Sequence, residues 1–269
     1  MNLLRGFVQF VCLLYDRRFL IAEMAKRDIL FNYVGSLLGF VWTFINPLVM
    51  IFILWLVFSI GFRANPLHGV PFVVWLTAGM AIWNTFSQVV NHSTDVIVNN
   101  HHLVKRMAFP LSILPVVKLV SSFITHCIFL ILLTLLILLY DMPFSPYWFQ
   151  TLYYLFAMSV LALGLSWISS SINVLVRDTG QIVHVILQIG FWGTPIFWDV
   201  NIMPQKIHFL FKLNPMFYIV QGYRDSFIYF VPFWDHLNIT IYFWAFTAFI
   251  FVLGAMIFLR LRPHFADVL

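Results

Sequence analysis

The sequence predicts an all-α integral membrane protein with six transmembrane helices. Two observations lead to this prediction. Charged residues make up 9% of the 269 residues and hydrophobic residues 62%, and the mean hydropathy is +0.94, whereas a soluble domain carries about 25% charge. The second observation is a series of long apolar runs, most of them reaching the ~20 residues that a helix needs to cross a bilayer.

The apolar runs place the membrane spans in order along a transmembrane domain of residues 35–269. We expect spans at about 36–60, 70–98, 111–140, 149–176, 181–198 and 236–259. Residues 204–232 are apolar only in pieces, so we expect two short re-entrant helices there, before the last span. Most of the fifteen Lys and Arg then fall on one side. Lys and Arg are retained in the cytoplasm, so both termini are predicted to lie inside.

Residues 1–34 are predicted to form a cytoplasmic amphipathic interface helix. Ala22 and Ala25 lie on one face of this helix and Glu23 and Arg27 on another. Glu23 precedes Arg27 by four residues, which is the favourable order for an ion pair. Such a helix lies in the plane of the membrane interface. It is either a lipid-surface anchor or a second contact surface for a cytoplasmic partner, and both can hold.

A basic polar segment, residues 99–118, separates the second and third spans. It includes His101, His102, Lys105 and Arg106, and its positive charge places it in the cytoplasm. No other segment between spans offers a soluble partner so compact a surface. We do not expect a metal site at the two histidines, because adjacent residues point to different sides of a helix and no further ligand lies at helical spacing.

The sequence gives no sign of catalytic chemistry. It has no G-x-x-x-x-G-K-[ST] loop, no H-E-x-x-H and no G-x-S-x-G. Acidic residues are almost missing from the span centres, which disfavours a proton- or sodium-coupled carrier. We therefore expect no catalytic residue, metal or cofactor on this chain, and no nucleic-acid partner.

Aromatic residues make up 19% of the chain, and some of them lie within spans. Trp42, Phe191 and Trp192 are examples. Most such rings serve packing. The alternative is a conduit lined by flat apolar rings, which stack on the apolar faces of sugars and let a polymer slide past.

Four segments resemble the membrane subunits of polysaccharide-exporting ABC transporters of the ABC-2 type. The segment Arg27–Phe58, RDILFNYVGSLLGFVWTFINPLVMIFILWLVF, resembles their opening signature, and Asn99–Pro115 resembles their loop between spans 2 and 3. The segment Arg177–Trp198 carries their Arg-Asp and Thr-Pro-Ile elements. The segment Leu213–Tyr229 carries their Asn-Pro and Tyr-Arg-Asp elements. The likeness covers nearly the whole chain, in order.

Within that family, two segments look most like the wall-teichoic-acid exporter subunit. They are Gly69–Trp83 and the run MAFPLSILP, residues 107–115. Many O-antigen and capsule relatives carry a Glu where this chain has Ser112. The sequence therefore predicts the export of wall teichoic acid, with O-antigen or capsular polysaccharide as the alternative.

The resemblance also implies the assembly. We expect a homodimer of this chain bound to two copies of a separate ATP-binding subunit, which carries the ATP and Mg. The implied cargo is a polymer linked to undecaprenyl pyrophosphate, moved between the leaflets of the bacterial inner membrane. The N-terminal helix would brace the basic loop, and the re-entrant pair would close the outer mouth of the conduit.

Two groups of site residues follow from the resemblance. The ATPase-coupling group consists of Asn99, Asn100, His101, His102, Lys105 and Arg106, supported by Glu23, Arg27 and Asp28. The substrate-conduit group consists of Trp42, Asn46, Phe191, Trp192, Thr194 and Arg224.

Two other classes of function stay open at this point. A membrane enzyme acting on polyprenyl-linked substrates would need paired carboxylates or a His/Asp cluster at one membrane face, and the sequence offers none. A solute channel or carrier would work without an ATPase.

Overall fold

The computed structural model describes residues 3–31, 37–62, 69–104 and 109–269, and its regular elements are helical. The α-helices are α1 (Leu3–Asp16), α2 (Arg18–Phe31), α3 (Trp42–Trp55), α4 (Phe72–Thr94), α5 (Val96–Asn99), α6 (His101–Val104), α7 (Leu114–Leu139), α8 (Gln150–Leu175), α9 (Thr179–Gly193), α10 (His208–Lys212), α11 (Pro215–Arg224), α12 (Leu237–Leu261) and α13 (Phe265–Val268). Short 3₁₀ turns precede several of them, and a π-helical turn extends α3 to Gly61 and α11 to Tyr229.

Five helical stretches of the described chain are long and apolar enough to cross a membrane. They are Trp42–Gly61, Phe72–Thr94, Leu111–Leu139, Pro146–Leu175 and Phe233–Val268. They correspond to five of the six predicted spans.

The remaining predicted span, residues 181–198, contains the shorter helix α9. Its 15 residues extend about 22 Å, less than the ~30 Å hydrocarbon core. The helix ends at Gly193 because Thr194 is extended and Pro195 has no N–H to continue the ladder. A sixth crossing, and the orientation of the bundle in the membrane, stay predictions.

The central helix of the bundle is α4. In its most apolar stretch 83% of the residues are buried, against 17% for the span built on α3. It packs against α3, α7, α8, α9 and α11. A helix with so much buried surface is stable only when other helices surround it on most sides, and α4 meets that condition.

A close helix crossing joins α8 and α12 through two glycines. A Cβ built on Gly164 would lie 2.9 Å from the Cα of Phe251, and one on Gly254 would collide with the carbonyl oxygen of Gly164. Small residues at such a crossing let two backbones touch, which is how membrane helices gain van der Waals contact.

The N-terminal region forms two helices rather than the predicted single one. They meet at Arg17, and α2 packs against α7. The buried residues of α2 are Ile21 and Ala25. Ala22, which was expected to share the buried face with Ala25, is exposed, because α7 contacts the neighbouring side of the helix.

The predicted re-entrant interval holds two short helices, as expected, although their depth in a membrane stays a prediction. α10 is mostly exposed, whereas α11 is buried against α4, α8 and α12. Gly222 of α11 faces the ring of Tyr154 so closely that a Cβ would collide with it. A side chain larger than hydrogen at this position would push α11 away from the bundle.

We predict that Gly254→Val destabilises the protein by about 1–3 kcal/mol, because the added atoms overpack the α8–α12 crossing. The measurement is the thermal unfolding midpoint of the purified protein in detergent. Gly193→Ala is the control, since a Cβ there meets no atom within 4 Å. An unchanged midpoint for Gly254→Val would show that the two helices do not pack this closely.

Candidate functional site

A polar stripe runs along one face of α4. Asn84, Gln88 and Asn91 lie four and three residues apart, which puts them on the same side of the helix, and Asp95 follows one turn later. The stripe is about 16 Å long at 1.5 Å per residue. The three amides are half-buried and Asp95 is exposed. The otherwise buried core helix therefore presents one polar face.

This stripe forms one wall of a cleft of about 330 Å³ between α3, α4 and α7. The opposite wall contains Trp42 and Asn46, two of the predicted conduit residues, and both are exposed. The side-chain oxygen of Gln88 is buried and has no hydrogen-bond partner among the described residues. An unsatisfied polar atom at membrane depth is costly unless water or a ligand bonds to it.

A second recess, of about 360 Å³, lies between the end of α4 and the start of α9. Asn91 lines both cavities, so the two are neighbours. The second recess is also lined by Asp95, Arg177, Gln181 and His184. Together the two cavities give a polar path along α4, open on one side of the single chain.

Sequence reasoning missed the polar stripe as a feature of the site. The predicted conduit relied on aromatic residues, and residues 70–98 were treated only as the second span. The signal that could have revealed the stripe is the period of Asn84, Gln88 and Asn91 within an apolar span.

Two predicted conduit aromatics lie on α9, apart from the cleft. Phe191 is half-buried and packs against Trp83 and Phe197, with ring centroids 6.1 and 5.4 Å away. Trp192 is 57% exposed on the outer surface of α9. Packing explains Phe191 in a single chain, and the Trp192 ring, although partly exposed, packs edge-to-face against Phe197 with the centroids 4.9 Å apart.

The other two predicted conduit residues are internal. Thr194 has no exposed surface; its hydroxyl donates to the Gly190 carbonyl and accepts a 2.8 Å hydrogen bond from Asn214. Arg224 is 2% exposed and lines a separate pocket at the α10–α11 end of the bundle. In this conformation Thr194 cannot contact cargo, and its conduit role stays a prediction.

The predicted coupling segment follows α4 directly. After a break at Asp95 the chain forms the one-turn helices α5 and α6, which meet at Asn100. Asn99, His101 and His102 are exposed, and Asn100 donates a 2.8 Å hydrogen bond to the Val96 carbonyl. Lys105 and Arg106 lie outside the described residues.

A small hydrophobic cluster packs against the coupling segment on the side facing the bundle. Val96 and Ile97 are buried in it together with Phe265 of α13 and Trp167 of α8. Phe10 of α1 joins from the N-terminal side, with its ring centroid 5.0 Å from that of Trp167. The coupling segment is thus anchored to both ends of the chain.

The three coupling residues predicted on α2 fall into two groups. Glu23 and Arg27 are exposed. They do not form the predicted ion pair; the Arg27 guanidinium lies over the Phe31 ring instead, 5.3 Å from its centroid. Asp28 points inward and forms an ion pair with Lys118, as well as accepting a 2.9 Å hydrogen bond from Ser121. Asp28 therefore braces α2 against α7.

A buried polar network lies at the middle of the bundle and was not predicted. Thr85 donates to the Ala81 carbonyl at 2.9 Å, so the His126 Nδ1 is the donor in its 3.1 Å contact with the Thr85 oxygen. The Nε2 of His126 then accepts from the Tyr223 hydroxyl at 3.0 Å. A neutral imidazole protonated at Nδ1 satisfies these groups, and the network joins α4, α7 and α11.

We predict that Tyr223→Phe lowers stability by about 1 kcal/mol, because it leaves the buried Nε2 of His126 without a donor. The unfolding midpoint of the purified protein is the measurement. Tyr15→Phe is the matched control, since Tyr15 is 68% exposed and water replaces its partner. Equal midpoints for the two variants would contradict the network.

Comparison with known proteins gives consistent matches. The family model described as ABC-2 type transporter matches residues 20–228. The O-antigen export system permease protein RfbA of Klebsiella pneumoniae is 24% identical over 253 residues, which cover 93% of this chain and 95% of that protein. A protein of the same name from Myxococcus xanthus is 29% identical over 226 residues, which cover 82% of this chain and 84% of that protein.

Proposed function

The chain belongs to the ABC-2 type transporter family, and from this premise we propose that it is the membrane subunit of an ATP-driven exporter of a cell-surface polysaccharide of the O-antigen class. It is a multi-pass protein of the bacterial inner membrane. The observation that best supports the proposal is the polar stripe of α4, because a polar cargo crossing the bilayer needs hydrogen-bonding groups along its path.

The names of the relatives favour O-antigen over teichoic acid. Sequence reasoning predicted wall teichoic acid from the motifs Gly69–Trp83 and MAFPLSILP, with O-antigen or capsule as the alternative. The curated relatives are O-antigen export permeases and so support the alternative. Teichoic acid remains a second candidate that rests on those motifs and on Ser112.

The cleft supports the proposal of a homodimer. In one copy the polar path is walled by α3, α4, α7 and α9 and is open on one side. A conduit for a polar polymer needs a closed wall, and a second copy is the simplest way to close it. The α9 face beside the recess carries exposed apolar residues, namely Ile182, Val185, Ile186, Ile189 and Trp192.

The energy source in this proposal is a separate ATP-binding subunit, present in two copies and carrying ATP and Mg. Support comes from the exposed polar surface formed by Asn99, His101 and His102, together with the exposed Glu23 and Arg27 of α2. It lies at the end of the bundle where the charge distribution predicts the cytoplasm. The break at Asp95 lies one turn beyond Asn91 and the surface begins one turn after the break, so a displacement of the surface has a short path to the cleft.

The proposed cargo is a polymer linked to undecaprenyl pyrophosphate. Its lipid tail can stay in the bilayer while the polar part enters the cleft from the side. Arg177 and His184 line the inner recess and offer the donors that a diphosphate requires. Asp95 in the same recess opposes an anion, so we expect the diphosphate to bind at its α9 side.

A membrane enzyme on polyprenyl-linked substrates has less support. Across the described residues, no group of three or more His, Cys, Asp or Glu comes together as a metal site would require. The relatives found are permeases. The enzyme proposal would need cargo chemistry to change during passage, which analysis of the lipid-linked product would reveal.

We predict that Gln88→Leu and Asn91→Leu each lower polymer export about tenfold, because an apolar side chain raises the barrier to a polar cargo by about 1.4 kcal/mol. The measurement is polymer at the cell surface in cells lacking the native gene and supplied with each variant and the ATPase. Asn238→Leu, an exposed amide on α12, is the control. If the Asn91→Leu variant exports polymer at the wild-type level, the proposal that cargo passes through the cleft is wrong.

We also predict that the double variant Lys105→Glu, Arg106→Glu uncouples ATP hydrolysis from export. Reversing the charge of the loop changes its contact with the ATPase but leaves the spans intact. ATPase activity of the purified complex and surface polymer are measured together. Lys206→Glu is the control, because Lys206 is exposed at the opposite end of the bundle. Normal export by the double variant would refute the coupling role.

A further inference from the structure

A pocket of about 550 Å³ lies at the α10–α11 end of the bundle. It is enclosed by α11 and its π-helical turn, by the first turns of α4 and α12, and by the Asp199–Asn201 turn. The proposed function does not use it. Its volume falls within the ~300–1,000 Å³ range of ligand pockets in proteins, and several charged side chains line it.

The first unusual feature of this pocket is a buried arginine that makes no close ion pair within the described residues. Arg224 is 2% exposed. Its guanidinium carbon lies 3.3 Å from the centroid of the Trp75 ring, and its Nη2 donates to the Ile196 carbonyl at 2.9 Å. Its Nε has no hydrogen-bond partner, and within the described chain no carboxylate lies within ion-pair distance of it. A buried cation is costly unless its donors are used.

The second feature is a buried carboxylate next to it in sequence but held apart from it. The Asp225 side chain is 4% exposed. It accepts a 2.9 Å hydrogen bond from the Gln221 amide and lies 3.5 Å from the His236 Nε2. Burial raises the pKa of the Asp225 carboxyl, and the contacts with Gln221 and His236 oppose that rise. Fixed donors and fixed acceptors therefore face the same cavity.

The mixed charges disfavour two simple ligand classes. An anion would be attracted by Arg224 and Lys212 but repelled by Asp199 and Asp225, and a cation would meet the reverse arrangement. A neutral polyhydroxyl ligand has neither problem, because each hydroxyl both donates and accepts a hydrogen bond.

The remaining walls suit the apolar faces of such a ligand. Phe217, Tyr218 and Tyr229 line the pocket, and an aromatic ring provides a flat apolar surface with a polar edge. Alternating polar groups and flat rings match a sugar ring, whose hydroxyls project from its edge and whose C–H groups form its faces.

We propose that this pocket binds a saccharide unit of the exported polymer. The proposal rests on the proposed function, and it assigns a second binding site to the same cargo, at the opposite end of the bundle from the coupling segment. Arg224 donates to sugar oxygens, Asp225 and Gln221 bond to neighbouring hydroxyls, and the aromatic rings cover the sugar face. A saccharide unit bound here would hinder the polymer from moving back between cycles of ATP hydrolysis.

The test is photo-crosslinking in exporting cells. A benzophenone amino acid replaces Val200, which lines the pocket and is half-buried, and the chain is expressed with its ATPase and the polymer-synthesising enzymes. After irradiation we expect a glycan-stained adduct on the protein. We expect no adduct in cells that do not make the polymer, and none with the same amino acid at Ile241, a 66% exposed position of α12.

A second variant tests the hydrogen-bonding part of the proposal. Gln221→Leu should lower the adduct yield about fivefold, the loss expected for about one hydrogen bond. Gln205→Leu, which removes an exposed amide outside the pocket, should leave the yield unchanged.

The outcomes separate this inference from the proposed function. Normal export with no adduct at Val200, or with an equal adduct at Ile241, would overturn the proposal that the pocket binds a saccharide. The proposed export function would be unaffected by either result. Surface polymer that does not depend on the wild-type chain would overturn the proposed function itself.

Discussion

The described architecture depends on one constraint, which is that a polar group at membrane depth has to find its partner inside the protein. The helix α4 meets this constraint in two ways. On its buried side, Thr85 bonds to a backbone carbonyl and to His126. On its cleft side, Asn84 donates a hydrogen bond to the Met80 carbonyl, while the oxygen of Gln88 has no partner in the part of the chain that the structure describes. The buried face of α4 thus bonds to neighbouring helices, whereas its cleft face keeps a polar atom available to bond water or a ligand.

The same constraint explains how a segment too short to span can pack so deeply. Helix α11 has only ten residues, but Tyr223 reaches His126 near the middle of α7, and Gly222 lets the backbone approach Tyr154. A paired polar contact also fixes the peripheral helix α2 to the bundle. Asp28 and Lys118 neutralise each other where α2 meets α7, so this ion pair holds α2 against α7.

The positions of the long helices could be predicted from the sequence, because hydropathy over about 20 residues reports directly on the bilayer. The short helices before α12 were also foreseeable from interrupted apolar runs, whereas the break at Asp95 was not, because the second span was predicted to continue to residue 98. The direction of individual side chains could not be predicted from the sequence. Nothing in the local pattern says that Asp28 turns toward Lys118 rather than toward a partner, or that Arg224 stacks on Trp75. Those choices depend on which helix lies opposite, which is tertiary information.

The glycine crossing of α8 and α12 has a consequence for motion. Where Gly164 and Gly254 bring two backbones into contact, no side chain is left between them to slide or change rotamer. The two helices therefore pack as one rigid pair, with α13 and the cluster around Trp167 at the end nearest the coupling segment. If the coupling segment is displaced as proposed, this pair has little freedom to deform. Helices α3 and α9, which bury few residues, are then the ones expected to move relative to it.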